Sequence, residues 1–260
     1  MLKGKNAIVT GSTSGIGLGI THALARAGCN LMINGFGDKT VIDKEISDLK
    51  QKYGVKVEYS PADMSKPADI TGMVAKCEKN FGSCDILVNN AGIQFTANIE
   101  DFPAEKWDAI LAINLSSAFH SIRAAVGGMK KRGFGRIINI ASAHGLVASK
   151  QKSAYVAAKH GIVGLTKVAA LETADTDITV NAICPGWVLT PLVQKQIDDR
   201  AKAENIPIKQ AEEELLSEKQ PKKKFNTPET IGAMVVFLCG EHASAMTGEI
   251  LSMDGGWVAQ

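Results

Sequence analysis

An α/β fold built on a mostly parallel sheet is what this sequence predicts, and three observations point to it. Short apolar runs alternate with longer amphipathic segments along the chain, the pattern of successive β-α-β units. The first apolar run ends in a glycine-rich turn, Gly11-Ser12-Thr13-Ser14-Gly15-Ile16-Gly17, which opens a helical segment. No internal repeat or linker-like stretch breaks the alternation, so residues 1–260 read as a single domain.

The elements follow in pairs. Asn6–Thr10 is the first strand and Ile16–Ala27 the helix after the glycine turn. Cys29–Asn34 with Thr40–Tyr53, and Val55–Ser60 with Ala68–Phe81, repeat the unit. Ile86–Asn89 leads to the long segment Ala104–Lys131, and Arg136–Ser142 to Ser153–Ala174. Thr179–Cys184, the helix Pro228–Cys239 and the strand Glu249–Met253 complete the set. Residues 189–225 are the exception, a long polar excursion with amphipathic stretches at Ile197–Asn205 and Pro207–Lys219. It is too long for a connector. It leaves directly after a strand's carboxyl end, where α/β proteins place their sites, so it reads as a lid over a substrate.

Composition excludes several classes. With 45% hydrophobic and 22% charged residues the chain is a globular protein with ample core, and a net charge of +2 argues against a nucleic-acid binder. The sequence suggests neither a signal peptide nor a membrane span, so a cytoplasmic location is expected. Five scattered cysteines form no C-x-x-C pair and indicate neither a disulfide framework nor a metal site.

Chemistry concentrates at Tyr155-Val-Ala-Ala-Lys159. On a helix this spacing puts phenol and ammonium on one face. A free tyrosine has a pKa near about 10, and an adjacent cation favours its phenolate, moving it toward the working range of an acid/base group. In the N-terminal turn, Gly11 permits the bend, Gly15 leaves room for a pyrophosphate and Gly17 lets the helix pack closely. The exposed amides there favour a diphosphate. The second strand ends Met32-Ile33-Asn34-Gly35-Phe36-Gly37-Asp38, without the acidic residue that would grip ribose hydroxyls. Neither Arg nor Lys precedes Lys39 to meet a 2′-phosphate, which leans toward NAD over NADP. Asp63 either accepts a hydrogen bond from adenine or caps the next helix.

Together Thr10-Gly11-x-x-x-Gly15-x-Gly17, Asn89-Asn90-Ala91-Gly92, Asn114, Ser142, Tyr155-x-x-x-Lys159 and Pro185-Gly186 resemble the short-chain dehydrogenase/reductase family over essentially the whole chain. The resemblance implies a Rossmann-type, doubly wound parallel sheet, a nicotinamide cofactor and a tetrad of Asn114, Ser142, Tyr155 and Lys159. In it Ser142 positions the substrate oxygen, Tyr155 exchanges its proton, and Lys159 lowers the tyrosine pKa and holds the ribose. Asn114 would hold a relay water through its side chain. The resemblance also implies a cofactor cleft made by Gly11, Thr13, Ser14, Gly15, Ile16 and Gly17 at the first turn. Phe36, Asp63, Met64, Asn90, Ala91 and Gly92 extend it, and Pro185, Gly186, Val188 and Thr190 complete it beside Tyr155 and Lys159. A homotetramer joined through the long helices is the family's usual assembly.

A finer resemblance, in Asn34–Asp38, Asn90–Gln94, Ile140–Ser149, Lys152–Tyr155, Cys184–Val188, Leu216–Pro221 and Asp254–Trp257, is to bacterial members of the family that act on 3-hydroxybutyrate. It implies that Gln94, Ser142, His144, Lys152, Tyr155, Trp187 and Gln196 line the pocket of a small hydroxy or keto acid. Such a pocket must compensate a carboxylate leaving water, and Lys152 offers a full charge, while Gln94, His144 and Gln196 offer donors. Two rival readings stand beside it. One is an NADP-dependent 3-oxoacyl carrier-protein reductase, with Lys130, Lys131 and Arg132 as a docking patch. The other is a nucleotide-sensing scaffold without catalysis.

Overall fold

β1 (Asn6–Val9), β2 (Asn30–Asn34), β3 (Val57–Ser60), β4 (Ile86–Asn89), β5 (Gly135–Ile140), β6 (Ile178–Pro185) and β7 (Ile250–Met253) form one parallel sheet. The computed structural model describes residues 2–259, so Met1 and Gln260, the ends of the single-domain reading, lie outside the described residues. The strand order is β3-β2-β1-β4-β5-β6-β7. Strand β1 therefore pairs with β2 on one side (Ala7 with Leu31) and β4 on the other (Ala7 with Ile86). The chain reverses its winding direction between those neighbours, which opens a crevice at the strands' carboxyl ends.

The central strands β1, β4, β5 and β6 are buried on both faces because helices cover both. Val9, Leu31, Ile33, Ile138 and Ile183 pack beneath α1 (Gly15–Arg26) and α9 (Pro228–Cys239). Ile8, Met32, Leu87, Ile137 and Val180 face the other way, toward α3 (Pro67–Phe81) and α5 (Ser117–Arg132). Burying each such side chain stabilises the fold by about 1.5–3 kcal/mol. The remaining core helices are α2 (Lys39–Tyr53), α4 (Ala104–Leu111) and α6 (Ser153–Leu171). Asp38 accepts from the amides of Thr40 and Val41 and so caps α2.

Among the boundaries that depart from expectation, three have clear local reasons. The segment 104–132 is interrupted by a π turn, Ala112–Ser116, between α4 and α5. Its 29 residues are long and apolar enough to span a bilayer by length and composition. Tertiary packing accounts for that character instead, since α5 packs on α3 and β4 while α4 packs on α6. Strand β5 stops at Ile140, and Ser142 starts a short 3₁₀ turn, Ala143–Gly145, rather than ending the strand. The first helix of the 189–225 excursion, α7, runs Pro191–Glu204 and so begins well before Ile197. Thr190 accepts from the Val193 amide and Pro191 sits at the first helical position, both start signals.

The excursion has its own small core. Helices α7 and α8 (Ile208–Ser217) bury Val193, Ile197, Ala201 and Ala211 against Trp187, Leu189, Leu215 and Phe225. Its ends are stitched together. The Leu189 amide donates to Asn226 O (2.9 Å), and the Asn226 amide donates to Trp187 O (3.0 Å). Arg200 joins α7 to α8 through Glu214 and Glu218.

Candidate active site

The glycine turn between β1 and α1 is held from below by Asn90. Its Nδ2 donates to Thr10 O (2.9 Å) and Gly11 O (3.0 Å). Thr10 Oγ1 accepts from the amides of Asn90 and Ala91. Helix α1 meets this turn so closely that a Cβ on Gly17 would stand 2.2 Å from Gly11 O. Gly15 adopts a φ of +53° and faces only Thr190. Ser14 occupies the N-cap but gives the helix no side-chain cap. The first-turn amides are therefore left for an anion, and the turn fits a dinucleotide diphosphate.

Two connected lobes run along the carboxyl edge of the sheet from this turn. One, of about 600 Å³, is lined by Ser14, Gly15, Ile16, Gly17, Asn90, Gly92, Gln94, Ser142, Tyr155, Lys159, Pro185, Gly186 and Thr190. The other, of about 260 Å³, is lined by Gly11, Thr13, Phe36, Asp63, Met64 and Ala91, and it shares Ser14, Asn90 and Gly92 with the first. An elongated two-part cleft meeting at the diphosphate turn suits a dinucleotide. Val188 lies outside it, its side chain buried in the core and its backbone bridged to Asn226.

At the end of β2, Asn34 explains the missing acid. Its Nδ2 donates to Ser60 O and Ala62 O, and its Oδ1 accepts from the Gly11 amide. The side chain thus joins β2 to β3 and the glycine turn, a role the sequence pattern alone does not reveal. Phe36 is 70% exposed beside the far lobe. Lys39, the nearest cation, is paired with Asp43. Asp63 does not cap α3, whose N-cap is Lys66. It accepts instead from the Ser65 amide and hydroxyl, which hold its carboxyl below the usual range.

Ser142, Tyr155 and Lys159 meet in the larger lobe. Lys159 is buried and donates to Ile140 O (2.7 Å), while burial pulls its ammonium down to about 8. Its Nζ lies 5.6 Å from the Tyr155 ring centroid. Burial pushes the Tyr155 phenol above its ordinary value, and hydrogen bonding with Ser142 acts in the opposite sense. The Lys159 ammonium is held by a carbonyl, and desolvation is the larger influence on the phenol. Asn114 is bonded to the backbone of Ile93. Its Oδ1 accepts from Ile93 N (2.8 Å) and its Nδ2 donates to Ile93 O (2.9 Å). Both ends of the amide thus help to fix the loop after β4.

The residues expected around an acid group divide. Gln94 lines the cleft. Lys152 sits half-buried at the N-cap of α6, and burial followed by the nearby Lys219 lowers its ammonium. His144 is packed edge-on between Tyr155 (5.9 Å between centroids) and Trp257 (4.9 Å). Its Nε2 is 2.9 Å from Ser149 Oγ, so that nitrogen is already engaged. Trp187 roofs the α7–α8 core rather than lining the cleft. Gln196 lies exposed on α7, also outside the cleft. Gln220, unassigned by sequence reasoning, is fully buried and accepts from the Trp187 amide. It also donates to Lys224 O, anchoring the excursion's base.

His144 yields a pH prediction. Burial, then the Lys152 and Lys219 charges, pull its pKa from 6.5 down to about 4. The imidazole is therefore neutral in the folded protein and protonates first in the unfolded chain as pH falls below about 6.5. This group's effect on stability is absent above pH 6.5 and becomes increasingly destabilising toward pH 4, by on the order of 3 kcal/mol. Urea unfolding from pH 7.5 to 4.5 should show a shallower loss of stability for His144→Gln than for the wild type. Parallel curves would remove His144 as the source.

A family model described as enoyl-(acyl carrier protein) reductase matches residues 11–258. The chain belongs to the short-chain dehydrogenase/reductase family and is a nicotinamide-dependent oxidoreductase. It is 63% identical to the D-beta-hydroxybutyrate dehydrogenase of Cupriavidus necator over 260 residues, covering 100% of both chains. With the D-beta-hydroxybutyrate dehydrogenase of Rhizobium meliloti it shares 56% identity, covering 98% of this chain and 99% of that one. The crystal structure of L-sorbose reductase from Gluconobacter frateurii, complexed with NADPH and L-sorbose, superimposes with a TM-score of 0.94 at 32% identity. That match covers 99% of this chain and 98% of the other.

Proposed function

We propose that this protein interconverts (R)-3-hydroxybutyrate and acetoacetate, using NAD and a proton exchanged through Tyr155. The observation that supports it most is the convergence of Ser142, Tyr155 and Lys159 on the lobe that begins at the diphosphate turn. Full-length similarity to two D-beta-hydroxybutyrate dehydrogenases supplies the substrate. NAD is favoured because Phe36 and Gly37 follow Asn34, Lys39 is tied to Asp43, and no free cation lies at the end of β2 among the described residues.

The nicotinamide accepts or supplies hydride when bound. Ser142 donates a hydrogen bond to the reacting oxygen and fixes its position beside Tyr155. The tyrosine takes the alcohol proton during oxidation and returns it during reduction. Lys159 holds the cofactor ribose, and Asn114 keeps Ile93 and the neighbouring cleft wall in place. Lys152 and Gln94 bind the acid end, and His144 supports Tyr155 by packing. Residues 189–225 act as the lid and bring Gln196 inward when they close. We also propose a cytoplasmic homotetramer. All five cysteines are free and buried, and Phe119, Val168 and Leu171 leave apolar surface on α5 and α6.

Initial rates of NADH formation with (R)-3-hydroxybutyrate, its S enantiomer, a neutral secondary alcohol, and NADP in place of NAD test the whole reading. Selective oxidation of the R acid with NAD is expected. Lys152→Ala should raise KM for the acid by about tenfold, the scale of one charge-assisted hydrogen bond, with a smaller change in kcat. Activity confined to NADP and 3-oxoacyl thioesters would overturn the assignment.

A further inference from the structure

The excursion meets the cleft wall at a buried side chain. Strand β6 ends at Pro185, and Pro185 and Gly186 line the larger lobe together with Thr190, Pro191 and Leu192 at the start of α7. Gln220, in the turn after α8, is fully buried. Its Oε1 accepts from the Trp187 amide, and its Nε2 donates to Lys224 O (2.9 Å). One carboxamide thus grips the outgoing stem of the excursion with its oxygen and the returning stem with its nitrogen.

The backbone around Gln220 is shaped to receive it. A Cβ on Gly186 would stand 2.3 Å from Gln220 Oε1, and one on Gly255 would stand 3.0 Å from Nε2. Glycine therefore clears the space on the cleft wall and again after β7. Gln220 is also held through its main chain, its N–H donating to Leu216 O (2.7 Å) and its carbonyl accepting from the Lys223 amide (2.9 Å). Lys223 adopts a φ of +45°, a left-handed conformation that is unfavourable for an L residue. That turn brings the next carbonyl, of Lys224, onto Gln220 Nε2. On the far side of the wall the Gly186 amide donates to Met253 O (3.0 Å), which fixes the wall to β7. The bonds among Trp187, Leu189 and Asn226 join the two stems to each other. Gln220 ties the end of α8 to the wall.

We propose that Gln220 is a positioning residue: its carboxamide sets how the α7–α8 pair stands over the cleft, and substrate affinity depends on it. This role rests on the reading of residues 189–225 as a lid over a 3-hydroxy acid, and adds the side chain that keeps the lid in register with the cleft. Cofactor affinity should be largely independent of it, because the diphosphate turn is held by Asn90 and Thr10.

The test uses the full chain. Gln220→Met keeps the length of the side chain and removes both of its bonds. With (R)-3-hydroxybutyrate and saturating NAD it should raise KM by about tenfold and change kcat by less than about threefold, while the NAD dissociation constant stays within about threefold of wild type. Hydrogen exchange read by mass spectrometry should accelerate in residues 187–226 and keep its wild-type rates in β1, β4 and β5. Gln210→Leu, which removes an exposed carboxamide bonded to Glu214 on α8, should leave these readings in place. Gln220→Asn, whose carboxamide ends one methylene short, replaces the methionine variant if thermal melting shows that the latter does not fold. An unchanged KM, a KM and an NAD dissociation constant that rise together, or faster exchange throughout the sheet would overturn the role of Gln220. A wild-type enzyme inactive on the acid would instead overturn the substrate assignment. Exchange in residues 187–226 then decides for Gln220 by itself, and rates equal to wild type would remove it.

Discussion

Tyr155→Phe should lower turnover by about a hundredfold to ten-thousandfold, the range expected when a positioned acid/base group is removed. The ring remains, so its packing against His144 is retained. Cofactor affinity, read by quenching of intrinsic fluorescence, should change little because the diphosphate turn is held by Asn90 and Thr10 rather than by the phenol. A variant that keeps turnover within tenfold of wild type would end the case for Tyr155 as the proton-exchanging group. The raised pKa of the phenol gives a further expectation. Tyr155 begins neutral, so oxidation of the alcohol, which needs the base form, should accelerate as pH rises into the alkaline range.

Gly17→Ala should damage both stability and cofactor binding. The added Cβ would meet Gly11 O at 2.2 Å and Asn90 Nδ2 at 2.5 Å, and the first of these is main chain that cannot rotate away. Overpacking of this kind costs about 1–3 kcal/mol. In a protein of this size each kcal/mol lowers Tm by about 2–4 °C. Because the displaced atoms belong to the diphosphate turn, the cofactor dissociation constant should rise at least about tenfold, equivalent to ~1.4 kcal/mol. Gly72→Ala, on α3 with open space around it, is the matched control. Equal melting temperatures and cofactor affinities for the two variants would show that the turn can relax.

The sheet was legible because strand identity depends on local apolar runs. Ile86–Asn89 and Pro228–Cys239 were readable end to end, since each is bounded by sharp changes of residue type. The π turn at Ala112–Ser116 was not, because periodicity cannot register one inserted residue within a long apolar segment. The true start of α7 is written as Thr190-Pro191, a start signal that the polar residues around it obscure. Within the cleft, residue types indicated which positions converge, and Ser142, Tyr155 and Lys159 do. Hydrogen-bond partners were another matter. Asn34 and Asn114 spend their amides on chain segments distant in sequence. Gln220 acquires its partners only when the excursion folds back beside Trp187. Local pattern contains no information about such pairings.

The joined ends of the excursion bear on how this scaffold can change its substrate. Residues 188 and 226 are bridged, and hydrogen bonds close the stem between Trp187, Leu189 and Asn226. The entropy of loop closure grows only slowly with length, and here the stem, with Gln220 buried at its base, fixes both ends. Helices α7 and α8 also bury their apolar residues largely against each other and the stem. The segment is therefore a replaceable cassette. Insertions, deletions or a transplanted sequence between its ends should alter which molecule is admitted while the sheet, the diphosphate turn and the Tyr155 apparatus keep their form. Evolution and protein engineering thus have the same inexpensive point of entry.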